Sequence, residues 1–174
     1  MVINIRTENI REIAPSLTVG QKVLLTGIVY TARDAAHKKF AKIIADGGEL
    51  PIDINDAVIY YAGPTPAKPN SVIGSCGPTT SCRMDPYAPT LLDMGLAAMI
   101  GKGERSREVS KAIVRNRAIY FCAIGGAGAL YSQCIKACDV AAFPELGCES
   151  VKKLYIEDFP LIVANDSRGG NIFN

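Results

Sequence analysis

Apolar residues recur along the chain in short blocks, which are separated by polar segments rich in glycine and proline. Blocks of branched apolar residues predict strands, and apolar residues three or four apart predict helices. The predicted strands are residues 22–30, 57–62, 117–124, 154–157 and 161–165, with a short extended stretch at 71–74. The predicted helices are residues 7–14, the later part of 31–47, 87–100, a segment capped by Ser106, and 129–139. Because strands and helices interleave, we expect an α/β domain.

Composition narrows the class of protein. The chain has 174 residues, 48% of them hydrophobic, which suits one compact domain spanning 1–174. The net charge is +2 and 21% of the residues are charged, which is not the strong positive charge typical of proteins that bind nucleic acid or an anionic membrane. The segment MVINIRTENIREIAPSL carries charges within its apolar spacing, which is typical of neither a signal peptide nor a membrane anchor. We therefore expect a soluble, cytoplasmic protein.

The 6 cysteines are scattered and contain no Cys-x-x-Cys pair. Since no secretory signal is present, a disulfide framework is not expected. Cys134 and Cys138 would share one face of the predicted helix, where they could hold a metal or fill the core. No cysteine and histidine cluster supplies a closed metal site, so we expect none on this chain.

Four polar clusters interrupt the apolar blocks, and the first follows the strand that ends at residue 30. Arg33 offers a planar fork that matches a carboxylate, and Asp34 could hold it in position. His37, the only histidine, is available for proton transfer near neutral pH. The alternative is an ordinary helix start, with Asp34 at its positive end and Lys38 in solvent.

The second cluster spans residues 77–85 and places three hydroxyl residues after Gly-Pro. If a helix opens after Pro78, its free N–H groups form an anion site, and Thr79 and Arg83 share one face. The alternative is a plain capped helix start with a solvated Arg83. A hydroxyl is a poor base, so a catalytic threonine needs a neighbour that takes its proton.

The third and fourth clusters are rich in glycine. Lys102 lies between two glycines in GKGERS, which allows close backbone approach and delivers one charge to an anion, although the full phosphate-loop pattern is absent. The sequence GGAGALY at 125–131 follows a predicted strand but does not match the dinucleotide fingerprint. Together the clusters could hold a small dicarboxylate, but they lack the electrophile that would transform it.

These clusters, in this order, resemble the class I fumarases, specifically their C-terminal domain or separate β subunit. The matching stretches, within residues 33–173, are RDAAHK, GPTTSCRMD, GKGERS, GGAGALY and FPELGCESVKKLYIEDFPLIVANDSRGGNIF. The small subunits of L-tartrate dehydratases and of mesaconate hydratases are similar. The resemblance implies a swivelling β/β/α three-layer domain beside a larger α subunit, with two of each in a heterotetramer. It also implies a [4Fe–4S] cluster bound by three cysteines of that α subunit, whose fourth iron binds the substrate.

The resemblance also assigns roles to single residues. It implies that Arg33 and Arg83 bind substrate carboxylates, that Lys102 completes this anion clamp, and that Thr80 contributes to binding. It places Thr79 at the position of the catalytic base. The last two candidate catalytic residues, Asp34 and His37, match the RDAAH stretch as supporting groups or as part of a proton path.

The activity implied is the interconversion of fumarate and (S)-malate by the two subunits together. Two alternatives remain: the same architecture acting on L-tartrate or mesaconate, or a non-catalytic dicarboxylate-binding or assembly domain.

Overall fold

The computed structural model describes residues 1–174, which form seven strands and five α-helices. The strands are β1 (Val2–Arg6), β2 (Lys22–Thr31), β3 (Val58–Tyr60), β4 (Ala98–Gly101), β5 (Ile119–Cys122), β6 (Ile135–Ala142) and β7 (Val151–Asn165). The helices are α1 (Ile10–Ile13), α2 (Asp34–Ala45), α3 (Ala88–Asp93), α4 (Arg107–Arg115) and α5 (Gly128–Gln133). Strands and helices alternate through most of the chain, so the α/β prediction is confirmed.

The sheet closes on itself. Its strand order is β1-β2-β3-β4-β5-β7-β6, and β2 also pairs with β7, so that β2, β3, β4, β5 and β7 form a small barrel. The pairs β2–β3, β3–β4 and β4–β5 are parallel, whereas β7 runs antiparallel to β5 and to β2. The long strand β7 closes the barrel because its first part pairs with the end of β2 and its last part reaches β5.

Neighbouring residues of the barrel strands point into two different cores. Tyr60 and Ile100 belong to a cluster of 25 buried residues, which includes most of the apolar side chains of β2 and β7. The adjacent Ile59 and Met99 belong to a second cluster of 21 buried residues, shared with helices α2, α3 and α4. The parallel strands are thus buried on both faces, which explains why β3 and β4 are continuous apolar runs.

Two predicted helices are wrong over their second halves. The helix predicted at 87–100 ends at Asp93, and residues Ala98–Gly101 form strand β4. The helix predicted at 129–139 ends at Gln133, and Ile135–Ala142 form strand β6. The run at 98–101 is short, apolar and buried, and such runs have no periodicity that separates helix from strand. Residues 135–142 are mostly exposed and form a strand through pairing with β7. Cys134 and Cys138 therefore do not share a helical face.

Other differences are smaller. Strand β1 was not predicted, residues 71–74 form no strand, and the two strands predicted at 154–157 and 161–165 are one continuous strand, β7. The predicted cap is confirmed, because the hydroxyl of Ser106 accepts a hydrogen bond from the N–H of Val109 at 3.3 Å. No helix of the structure combines the length and apolarity that crossing a membrane requires.

Candidate active site

The carboxyl ends of the parallel strands β2, β3, β4 and β5 meet at one end of the barrel, where ligand groups of open α/β sheets usually lie. The first, third and fourth polar clusters directly follow β2, β4 and β5. The second follows β3 after the proline-rich loop, and returns to it where the N–H of Thr79 donates to the carbonyl of Tyr61 at 2.6 Å. The topology therefore brings all four clusters to one place.

Asp34 joins the first cluster to the second. Its carboxylate accepts two hydrogen bonds from the guanidinium of Arg83, at 2.9 Å from Nε and 2.6 Å from Nη2. The Nε of Arg33 lies 3.5 Å from the same carboxylate and 3.3 Å from that of Glu149. The single carboxylate of Asp34 thus sets the spacing between the two arginines predicted to bind substrate.

Asp34 remains ionised in this position. Partial burial opposes its ionisation, but hydrogen bonds from its own backbone N–H and from Arg83, together with the charges of Arg83 and Arg33, outweigh that cost and lower the pKa. Hence both guanidinium groups face a permanent negative charge.

Arg33 has an unused donor. Its Nε is buried and makes no hydrogen bond, since the two nearby carboxylates lie within ion-pair distance but out of line with the N–H. The aliphatic part of the side chain lies against Gly63, where a Cβ atom would come within 2.9 Å of its Cδ. The side chain as a whole is 26% exposed, so the part of the guanidinium open to a carboxylate from outside the chain is not Nε.

The second and third clusters are joined through the backbone. The N–H of Ser81 donates to the carbonyl of Lys102 at 2.9 Å, and Thr80 and Lys102 form a parallel bridge. Thr79 is half-buried and Thr80 is exposed. Only a four-residue 3-10 helix, Ser81–Met84, follows Pro78. The predicted helical anion site is therefore wrong, and Arg83 reaches the cluster through Asp34 instead.

The glycine loop supports the third cluster. A Cβ atom at Gly125 would lie 3.3 Å from Cδ and 3.4 Å from Nζ of Lys102, so the lysine packs directly against this glycine. Further along, the carbonyl of Gly128 accepts a hydrogen bond from the N–H of Cys76 at 3.1 Å. Gly125 therefore lets Lys102 lie close to this loop, and Gly128 lets the side chain of Ser75 and the backbone of Gly77 approach it.

His37 lies beneath the cluster and not in it. The ring is fully buried against Phe40, Tyr61 and Tyr87, with Nδ1 2.9 Å from the carbonyl of Arg33 and Nε2 without a partner. Burial lowers its pKa from 6.5 to about 4; the charge of Arg105 adds to this, and the hydrogen bond to Arg33 opposes it. The neutral ring donates from Nδ1 and so holds the backbone of Arg33.

Comparison with known proteins gives the family of the chain. The model of the fumarase C-terminus family matches residues 1–174. The chain belongs to the fumarase C-terminus family. It is 41% identical over 157 residues to the anaerobic class I fumarate hydratase of Escherichia coli, covering 89% of this chain and 29% of that protein. It is 36% identical over 169 residues to fumarate hydratase 2 of Leishmania major, covering 96% of this chain and 30% of that protein.

One relative is close to this chain in length. The putative L(+)-tartrate dehydratase subunit beta of Methanocaldococcus jannaschii is 40% identical over 163 residues, which cover 90% of this chain and 84% of that protein. The chain thus spans less than a third of the fumarate hydratases that it matches, but most of this separate subunit.

In this member of the fumarase C-terminus family, the six thiols do not converge. Cys76 is buried, and burial raises its pKa to about 12, whereas Cys82 and Cys148 are exposed in separate loops. No group of three or more histidine, cysteine, aspartate or glutamate side chains is placed to hold a metal ion. The residues of this chain therefore do not fit the ligand set of an iron–sulfur cluster.

Sequence patterns missed two groups of residues around the site. Glu149 pairs with Arg33; it lies within the matching stretch FPELGCESVKKLY, but no role in the site was assigned to it. Arg105 and Asp85 form a buried ion pair under the second and third clusters. Their charges, within GKGERS and SCRMD, gave no sign of burial, because it depends on the contacts between the two loops.

The low pKa of His37 predicts a pH-dependent stability. Between pH 6.5 and about 4 the unfolded chain takes up a proton on His37 while the folded chain does not, so stability is lost as the pH falls through this window. From pH 7 to pH 4.5, we expect wild type to lose about 2–3 kcal/mol more unfolding free energy than His37→Asn. Urea unfolding of both proteins at the two pH values measures this difference. Equal losses would mean that the folded-state pKa of His37 is not lowered.

Proposed function

We propose that this chain is the β subunit of a [4Fe–4S]-dependent hydro-lyase that interconverts fumarate and (S)-malate. The observation that carries the proposal is the convergence of four polar loops at one end of the barrel, where Arg33 and Arg83 flank the carboxylate of Asp34 and the loop of Thr79 and Thr80 pairs with Lys102. In this role the chain binds the substrate carboxylates and moves the proton, in an active site shared with a larger α subunit.

The cations suit a small dicarboxylate. Arg33, Arg83 and Lys102 carry three positive charges, against which this chain sets the carboxylates of Asp34 and Glu149. One positive charge is left over in this count. A dicarboxylate supplies both charge and acceptors. Removal of a proton next to a carboxylate builds a doubly charged aci-carboxylate, which fixed cationic donors stabilise most strongly.

Thr79 is the proposed proton-transfer residue. Its backbone is fixed to Tyr61 at the end of β3, beside the loop that bears Lys102. A threonine hydroxyl can remove a proton only if its own proton passes to another group, and we propose that this group belongs to the α subunit. Thr80, next in the chain and exposed, is proposed to contact substrate.

Asp34 and His37 act through the arginines. Asp34 fixes both guanidinium groups, and His37 holds the carbonyl of Arg33 from below. His37 is buried and neutral, so we assign it a supporting role and not direct proton exchange with substrate.

We propose that the [4Fe–4S] cluster is bound by the partner, the larger α subunit. The thiols of this chain do not fit its ligand set, so no step assigned to this chain runs through it. The larger α subunit would bind the [4Fe–4S] group, which supplies a Lewis acid for the leaving hydroxyl. We also propose a heterotetramer of two α and two β subunits, in which this domain swivels against its partner as a three-layer β/β/α unit.

Two other substrates, L-tartrate and mesaconate, would keep the same architecture and make up the second candidate function. L-Tartrate is favoured by the M. jannaschii relative, which matches this chain over most of its length and is named as a tartrate dehydratase subunit. The third candidate function, a non-catalytic dicarboxylate-binding or assembly domain, would keep the arginine clamp without turnover.

The deciding experiment is anaerobic co-expression with a larger, cysteine-bearing partner, followed by assays with fumarate, malate, L-tartrate and mesaconate. Turnover of fumarate and malate is the expected result. Turnover of only L-tartrate or mesaconate would change the substrate, and dicarboxylate binding without any turnover would favour the assembly domain.

We expect the isolated chain to show no hydratase activity. Its cysteines are scattered, so anaerobic treatment with iron and sulfide should leave no stable cluster, and malate should not form from fumarate. Iron content, the visible absorption spectrum and fumarate consumption measure this directly. The co-expressed complex serves as the positive control. Robust malate formation by the isolated chain would overturn the two-subunit proposal.

A further inference from the structure

A fourth cation, Arg105, lies beneath the site and is completely buried. The exposed fraction of its side chain is 0%, and that of its ion-pair partner Asp85 is 11%. A buried guanidinium is costly unless its charge and its donors are satisfied, and apolar residues of similar volume often serve stability as well or better. Its presence therefore calls for a reason other than stability.

The guanidinium is held on several sides. Its Nε donates to Asp85 at 2.7 Å, and the other oxygen of Asp85 accepts the N–H of Ser106 at 2.7 Å. Its Nη2 donates to the hydroxyl of Tyr61 at 3.3 Å. The rings of Tyr61 and Tyr120 pack against its charge, with centroids 5.2 and 4.8 Å away.

The two tyrosines that contact Arg105 also bind the loop that carries Thr79 and Thr80. The carbonyl of Tyr61 accepts the N–H of Thr79 at 2.6 Å. The hydroxyl of Tyr120 lies 2.8 Å from that of Ser81 and donates to the carbonyl of Gly103, also at 2.8 Å. Tyr120 thus bridges the loop that carries the threonines and the loop that carries Lys102.

The remaining contacts lead to the cations. Asp85 ends the 3-10 turn that contains Arg83, two residues earlier. Arg105 itself follows Lys102 by three residues in the same loop. Arg105 therefore contacts Asp85 and packs against two tyrosines, whose own hydrogen bonds reach Thr79, Ser81 and Gly103 in the two loops.

We propose that Arg105 is a positioning residue that fixes loops 77–85 and 101–106 against each other and so sets the separation of Thr79, Arg83 and Lys102. Its effect on turnover rests on the proposed function, whereas its effect on loop order does not. A guanidinium suits this role because its planar fork satisfies partners in several directions at once, which neither lysine nor an apolar residue does.

Hydrogen exchange of the full chain tests the loop order directly. In Arg105→Lys we expect the amides of Thr79 and Ser81 to exchange at least about tenfold faster than in wild type, with the amides of β1 and β2 unchanged. Tyr120→Phe, which removes only the hydroxyl bridge, should accelerate Ser81 as well. If Arg105→Lys folds poorly, exchange in Tyr120→Phe still tests the proposal. Unchanged exchange at both amides would overturn the proposal.

The matched control is Leu161→Ala, which opens a cavity in the barrel core away from the site. A purely structural role for Arg105 predicts that its variants behave as this control does, with faster exchange spread over the core and no preference for the two loops. That pattern in Arg105→Lys would also overturn the proposal.

Activity of the assembled enzyme forms the second arm. We expect Arg105→Lys to lower kcat/KM by about tenfold or more, with KM raised, and Leu161→Ala to leave KM unchanged at a temperature where both are folded. If the wild-type complex turns over none of the four substrates, the proposed function fails while the exchange result still decides the role of Arg105. If hydrogen exchange in the loops becomes faster but kcat and KM stay normal, Arg105 orders the loops without positioning the clamp, and that part of the proposal is overturned.

Discussion

Thr79→Ala is expected to lower turnover of the assembled enzyme by about 10²–10⁴, the usual span for a lost acid–base group, while substrate still binds. The substitution removes the hydroxyl together with the γ-methyl group, and it leaves the backbone hydrogen bond from the N–H of Thr79 to Tyr61 in place. The arginines, which are held by Asp34 and not by Thr79, keep their positions. The loss should therefore appear in kcat and only weakly in KM.

The measurement that identifies the base is exchange of the malate C3 proton with deuterated solvent. His37→Asn is the comparison, because His37 has the better intrinsic pKa but is buried and neutral in the fold. It should cost less than Thr79→Ala, since it disturbs the support of Arg33 only. If exchange survives Thr79→Ala and vanishes in His37→Asn, the histidine is the base.

Arg33→Lys and Arg83→Lys are expected to lower kcat/KM by about 10–100-fold each, the range that one charge-assisted hydrogen bond gives. Each change keeps the charge and loses the planar fork. In Arg83 the fork makes both hydrogen bonds to Asp34, and in Arg33 it lies within ion-pair distance of Asp34 and Glu149. A lysine at either position cannot reproduce these contacts, so KM should rise and kcat should fall.

Steady-state kinetics with fumarate and with malate measure both effects. The matched control is Arg107→Lys, on the exposed start of α4, which should leave kcat and KM unchanged. Normal KM and normal turnover in both Arg33→Lys and Arg83→Lys would remove these arginines from the carboxylate clamp.

Local sequence signals determined much of the framework. The β-branched and aromatic runs at 22–30 and 117–124 became β2 and β5, and the serine before α4 caps it as predicted. The polar clusters could be located for a related reason. Residues directly after a strand cannot continue its apolar pattern, so groups that face a ligand stand out there.

The sequence failed where local preference was weak. Residues 98–101 and 135–142 are strands, although their spacing fits a helix equally well. Residues 98–101 form a strand because β3 and β5 lie on either side and pair with them in parallel through backbone hydrogen bonds. Such pairing joins segments far apart in the chain and leaves no local trace.

What the sequence by itself determined is the set of chemical groups: two arginines, a lysine and a threonine pair, each in a loop after a strand or a turn. What only the tertiary structure decided is their arrangement and charge state. Asp34 meets Arg83 across 49 positions of sequence, and Arg105 meets Asp85 in a buried pair. His37 is neutral and closed off because the fold surrounds it with aromatic rings. Burial and ion pairing depend on distances in space, and these exist only once the barrel has closed.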